Sequence, residues 1–205
     1  MVFYGWGYVM GKSDKKDKLL DSSQALMMGQ GYVATTIDEI CENAGVTKGS
    51  FFYYFKDKEA LGKEVAQRFA KQGQMALFAN LSEPSQDPLK KIYDFLDGAI
   101  ECSKNSDKKG CLLGIFAQEL SETHPEIRKI CETSFNGFIA NFERVLTEAK
   151  SKYAPKAKFK AGDLAEYFLA LAQGSMIIAR ARKDAGVMER ALVQFKDHLK
   201  GLYKK

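Results

Sequence analysis

The stretch Thr35–Leu61, TTIDEICENAGVTKGSFFYYFKDKEAL, decides how the chain is read. Thr36 stands three residues before Glu39, so hydroxyl and carboxylate can each take a backbone N–H that the first turn of a helix leaves unpaired. Ile37, Ile40, Cys41 and Ala44 then recur at i, i+3, i+4 and i+7 as one apolar face, with Asp38, Glu42 and Asn43 turned away. Gly45 can adopt the left-handed conformation that closes a helix, and Thr47 can cap the next one. Thr35–Leu61 is therefore expected to form two short helices across a tight turn, followed by the start of a third.

Before this stretch, Leu19, Leu20, Ser23, Leu26 and Met27 form an amphipathic helix from Asp14 to Gly29 that packs across the other two as a three-helix unit. After it, Asp57 caps a helix from Lys58 to about Leu81. At about 1.5 Å per residue this helix is on the order of 35 Å long, which makes it a connector out of the small unit. The run from Glu83 to Pro88 stops it, because proline cannot continue a helix.

The remaining sequence repeats the helical period without a strand pattern. Helices are expected from Pro88 to about Lys104, from Cys111 to Leu120 (the nearly all-apolar CLLGIFAQEL), and from Pro125 to about Tyr153. Two more follow, Asp163 to Asp184 and Val187 to Tyr203. The first of these is unusually apolar, and an apolar helix pair at the end of a chain calls for a partner, most simply a second copy. The expected fold class is all-α, with about nine helices. Residues 1–13 read as a leader, 14–60 as the small unit and 61–205 as a larger helical domain.

Composition narrows the chemistry. With 45% hydrophobic residues the 205-residue chain can bury a core, and its net charge of +5 is compatible with nucleic acid. The excess does not lie in the first sixty residues, where seven lysines face eight acids, so any DNA argument must rest on local placement. Cys41, Cys102, Cys111 and Cys131 lack ligand spacing and there are two histidines, so neither a metal nor another cofactor is expected. No run approaches the length of a membrane span, and scattered thiols fit a cytoplasmic protein. Phosphate-loop, HExxH and GxSxG motifs are absent, which argues against an enzyme.

The run GYVATTIDEICENAGVTKGSFFYYFKDKEAL resembles the N-terminal DNA-binding unit of the TetR family of bacterial transcriptional repressors. The resemblance covers roughly Lys15 to Val65 and rests on Gly31-Tyr32, Thr36, Ile40, Ala44-Gly45-Val46, Lys48-Gly49-Ser50, Tyr53-Tyr54-Phe55 and Lys58-Glu59-Ala60-Leu61. Gly110-Cys111-Leu112-Leu113, Ala117-Gln118-Glu119-Leu120 and His124-Pro125 resemble a block carried by one subgroup of that family. The resemblance implies a helix-turn-helix domain, a long connector, and a larger ligand-binding and dimerisation domain.

It also implies a double-stranded operator as partner, with the second short helix in the major groove. Thr47, Lys48, Gly49 and Ser50 open that helix, and Lys48 and Ser50 can reach base edges or phosphates where Gly49 allows close approach. Phe51 and Phe55 form an inward stripe with Val46, joined in part by Phe52. Tyr53 and Tyr54 become phosphate or base contacts by resemblance, although aromatic runs at helical spacing are commonly core and these two can equally be surface aromatics. Lys58, at the connector's N-terminus, is expected to anchor a phosphate, Thr36 to add a hydroxyl, and Lys12, Lys15, Lys16 and Lys18 to follow the backbone as an arm.

The implied function is a ligand-responsive repressor that binds a pseudo-palindromic operator as a homodimer through the two C-terminal helices. A small molecule, apolar or aromatic, is expected to bind among Phe95, Phe116, Phe135, Phe138, Phe142, Phe168 and Met176, although such residues can simply be core. Cys111 opens a helix after Lys108 and Lys109, so it is a candidate electrophile sensor, with a buried structural thiol as the alternative. A helical scaffold that has lost DNA binding also fits the acidic balance of the first sixty residues.

Overall fold

The computed structural model describes residues 14–78, 81, 87–104 and 110–203. Those residues form nine α-helices and no strand. They are α1 (Lys15–Gln30), α2 (Ile37–Ala44), α3 (Lys48–Tyr54), α4 (Lys58–Phe78), α5 (Pro88–Ser103), α6 (Leu112–Leu120), α7 (Pro125–Tyr153), α8 (Ala161–Arg182) and α9 (Gly186–Tyr203). The expected leader, Lys12, the stop at 83–86 and the Lys108-Lys109 pair lie outside the described residues, as do the side chains of Met75, Leu77 and Phe78.

The opening stretch folds by the caps its residues provide. Thr36 Oγ1 accepts from the Glu39 amide at 3.2 Å while the Glu39 carboxylate accepts from the Thr36 amide at 2.8 Å, a complete capping box. Gly45 ends α2 at φ +63°, and Thr47 caps α3 by accepting from the Ser50 amide at 3.2 Å. Asp57 receives the Ala60 amide at 2.7 Å and so starts α4. Ser22 on α1 donates to the Ile40 carbonyl at 3.0 Å, which fixes α1 on α2 through a buried hydrogen bond. Phe51 and Phe55 are buried as expected; Phe52 is 55% exposed and does not join them inward.

Two compact units divide the chain, and they do not meet at residues 60/61. The first holds the described residues up to Ala70 together with Leu112–Cys131; the second holds Lys71–Cys111 and Glu132–Lys205. The first turns of α4 stay with the small unit because Leu61, Val65 and Ala66 are fully buried. The apolar run of α6 joins the same unit, burying Leu112, Leu113, Phe116 and Leu120. A segment with so few polar positions must be covered on most sides, and its sequence does not say by which neighbour.

The second unit has its own core. Ile92 and Leu96 of α5, Val145 and Leu146 of α7, and Leu192 and Leu199 of α9 are fully buried within one cluster. Asp87 joins two of its helices: it caps α5 by accepting from the Leu89 and Lys90 amides at 3.0 and 3.1 Å, and also receives Lys152 Nζ at 2.7 Å and the Tyr153 hydroxyl from α7.

Candidate nucleic-acid interface

Helix α3 has an inner side set by Phe51, which is fully buried, and an outer side that carries polar and phenolic groups together with the exposed Phe52. Thr47, Lys48 and Gly49 are exposed, Ser50 and Tyr54 half-buried, and Tyr53 is 81% exposed. Thr47, Gly49, Ser50, Tyr53 and Tyr54 line an open surface depression, and Lys15 from the start of α1 completes it. Three residue types that bond phosphate oxygens, namely lysine, short hydroxyls and phenols, thus converge on one hollow. Among the described lysines expected as an arm, Lys15 is on this rim, Lys16 is paired with Glu64 at 2.6 Å and Lys18 is exposed on α1.

Gly49 carries an independent hint. A Cβ built there would meet only the Thr47 hydroxyl, at 3.7 Å, so the fold leaves room for a side chain that the sequence does not supply. Lys48 pairs with Asp38 of α2 at 2.7 Å across the turn, and that pairing raises the lysine's pKa. Both partners are well exposed, so the pair is weak and its ammonium can be given up to another anion. Tyr54 donates to Asp14 at 3.1 Å, and partial burial with that carboxylate pushes its phenol up. Thr36 is exposed, with its hydroxyl engaged in the α2 cap.

Lys58 sits elsewhere. Its ammonium donates to the carbonyls of Tyr32 and Thr35 at 3.1 and 2.9 Å and lies 4.5 Å from the centre of the Tyr32 ring. Burial lowers its pKa, against the attraction of Glu119 and Glu39. In this structure the ammonium of the expected phosphate anchor is engaged with the link between α1 and α2. Sequence position alone puts this lysine at a helix N-terminus; that a six-residue link exposes its carbonyls toward it is a tertiary fact.

The expected effector residues separate. Phe95, Phe138, Phe142 and Phe168 pack on one another in the second unit with ring centres 5.2 to 6.2 Å apart. Phe135 and Met176 are half-buried on α7 and α8. Phe116 is not in that group, because α6 belongs to the first unit, where its ring meets Tyr32 at 5.6 Å. Cys111 is half-buried immediately before α6, as Cys102 is on α5, whereas Cys41 and Cys131 are buried. Among the described residues no group of three metal-binding side chains occurs, and no helix is long and apolar enough to cross a membrane.

Comparison with known proteins settles the lineage. Residues 19–65 match the family described as bacterial regulatory proteins, tetR family, and residues 88–194 match the transcriptional regulator LmrA/YxaF-like C-terminal domain. The chain belongs to the TetR family. It is a helix-turn-helix transcriptional regulator with α2 and α3 as its two motif helices. It is similar to the HTH-type transcriptional repressor DhaR of Mycobacterium sp. (strain GP1), 24% identical over 183 residues that cover 89% of this chain and 91% of that one. The fold is shared with reduced E. coli NemR, at a TM-score of 0.78 and 22% identity over 90% of this chain and 96% of that one. A TetR-family regulator from Agrobacterium tumefaciens gives a TM-score of 0.81 at 19% identity, covering 93% and 98%.

Proposed function

We propose that this TetR-family regulator is a ligand-responsive repressor that binds a pseudo-palindromic operator as a homodimer. The observation that carries the reading is the outer side of α3, where Thr47, Gly49, Ser50, Tyr53 and Tyr54 line a hollow shared with Lys15 and Lys48 stands exposed beside them. The N-terminal residues of this helix read base edges, and the tyrosines and Lys15 hold phosphates on either side. Lys58 and Thr36 act on DNA indirectly, by fixing the link and the start of α2. The names of DhaR and NemR, both repressors, support the sign of regulation.

The second unit acts as sensor and dimerisation domain. Tyr167, Ile177 and Ile178 on α8 and Val193 on α9 are large apolar side chains left 37 to 50% exposed, and a second copy of the same helix pair covers them. An apolar or aromatic effector inserts among Phe95, Phe138, Phe142 and Phe168, whose tilted and stacked contacts suit another ring. Modification of Cys111, at the entry to α6, is a second route to release.

The experiment is selection of binding duplexes from a random-sequence pool by the purified protein, followed by titration across salt concentrations. Enrichment of an inverted repeat bound by two chains, with affinity falling as salt rises, is the expected result. A pool that shows no enrichment overturns the reading in favour of a helical protein without operator binding.

A further inference from the structure

Most hydrogen bonds of the link between α1 and α2 are made within the link itself or to α1, α2 and the start of α4. The Gly31 amide donates to the Met27 carbonyl, the Thr35 amide to the Tyr32 carbonyl, and the Thr36 amide to Glu39. Thr35, fully buried, returns its hydroxyl to the Gly31 carbonyl at 2.6 Å. Lys58 takes the Tyr32 and Thr35 carbonyls, and Gln30 reaches the Ala34 carbonyl at 3.3 Å. The Val33 amide is different: its acceptor is Glu119 Oε2 at 2.9 Å, eighty-six residues away on α6.

The fit around that carboxylate is close. Gly31 has φ +94°, and a Cβ at this position would collide with Glu119 Oε1, so the glycine gives the carboxylate its seat as well as the turn its conformation. The same carboxylate attracts the Lys58 ammonium that holds the other side of the link. Tyr32, 4% exposed, locks the ensemble from the apolar side, packing edge-on against Phe116 at 5.6 Å and His124 at 5.5 Å. All of these groups lie within the first compact unit.

We propose that Glu119 is a positioning residue for operator recognition, a latch from α6 that sets the α1–α2 link and through it the seat of α2 and α3. The inference rests on the operator-binding reading above. The bond lies at the surface, with Val33 67% exposed, so without Glu119 water takes up the Val33 amide and the link loses its hydrogen-bonded tie to α6 at the point where Lys58 and the Thr36 cap are aligned. The link begins where α1 ends and finishes at the residue that caps α2, so its geometry sets the approach of the reading helix. Glu119 touches no DNA; it acts on recognition through Val33, Gly31 and Lys58.

The test compares wild type with Glu119→Ala and Glu119→Gln, using an operator duplex recovered by the wild-type protein from the random pool. Glu119→Ala is expected to lose at least about tenfold in operator affinity, the size of a lost hydrogen bond to a charged group, while Glu119→Gln, whose amide oxygen still accepts from Val33, stays within about threefold. The Val33 amide is expected to exchange slowly with solvent deuterium in wild type and Glu119→Gln and rapidly in Glu119→Ala. Should Glu119→Ala melt below the assay temperature, Glu119→Asp, which keeps the charge but withdraws the oxygens by one methylene, carries the same expectation. Operator affinity equal to wild type in Glu119→Ala or Glu119→Asp, or a Val33 amide that exchanges rapidly in wild type, overturns the latch. A wild-type protein that recovers no duplex overturns the operator reading instead, and the exchange measurement then still decides whether the latch exists.

Discussion

The ammonium of Lys58 donates to the carbonyl of Thr35 at 2.9 Å, so the first residue of α4 holds the last residue before the cap of α2. This hydrogen bond, with its companion to Tyr32, ties the lysine to the link that leads into α2. A phosphate anchor and a link clamp predict different salt behaviour. Lys58→Ala is expected to lose about 2 kcal/mol of stability in the first unit, the scale of hydrogen bonds to a charged group. Operator affinity is expected to fall for all sequences with the salt slope unchanged. A slope reduced by about one on titration would return Lys58 to the phosphate backbone.

Lys15 carries the opposite expectation. It is exposed at the rim of the α3 hollow, so Lys15→Ala should leave the melting temperature alone and reduce the salt slope by about one. An unchanged slope would place Lys15 off the DNA.

Lys48→Ala removes only a weak exposed pair with Asp38, so the melting temperature is expected to stay at the wild-type value. Discrimination between the selected operator and single-base variants should relax at one or two positions of each half-site. Uniform weakening across all variants would mean that Lys48 meets phosphate rather than a base edge.

Asp87 supplies a pH signature in the second unit. The donated hydrogen bonds of Lys152 and Tyr153 hold its carboxyl well below the usual range, so its contribution is complete above the ordinary value of 3.8 and is lost as pH falls through the lower folded-state value. Asp87→Ala is expected to cost about 1 to 2 kcal/mol at neutral pH, since a helix cap and its ties are removed together. The gap between variant and wild type should narrow on acidification below that range; chemical denaturation at several pH values measures it.

The sequence makes the motif legible wherever local chemistry determines it. Thr36 with Glu39, Gly45 and Thr47 specify caps and a turn within a dozen residues, and Phe51 with Phe55 follow from helical spacing. Lys58 and Phe116 were out of reach for the same physical reason: each meets partners brought up by tertiary folding, one the carbonyls of a link and the other a ring on that link. The apolar run of α6 announces burial without naming its cover. Phe52 shows the limit of the period itself, since a seven-residue helix packed on one side by Phe51 leaves its neighbour outside. Glu119 carries one local clue, the single charge of a mostly apolar helix, which signals a fixed partner but does not identify it.

The most direct measurement of the central claim, that α3 meets DNA with the Gly49 backbone, is operator affinity of Gly49→Leu beside its thermal stability. The space around a Cβ at position 49 is open and leucine is the better helix former, so the melting temperature should hold or rise, by an amount worth up to about 1 kcal/mol. Operator affinity should fall at least about a hundredfold, because the added side chain occupies the space where a base edge or phosphate must approach. A Gly49→Leu protein that folds like wild type and binds the selected operator with wild-type affinity would contradict the account.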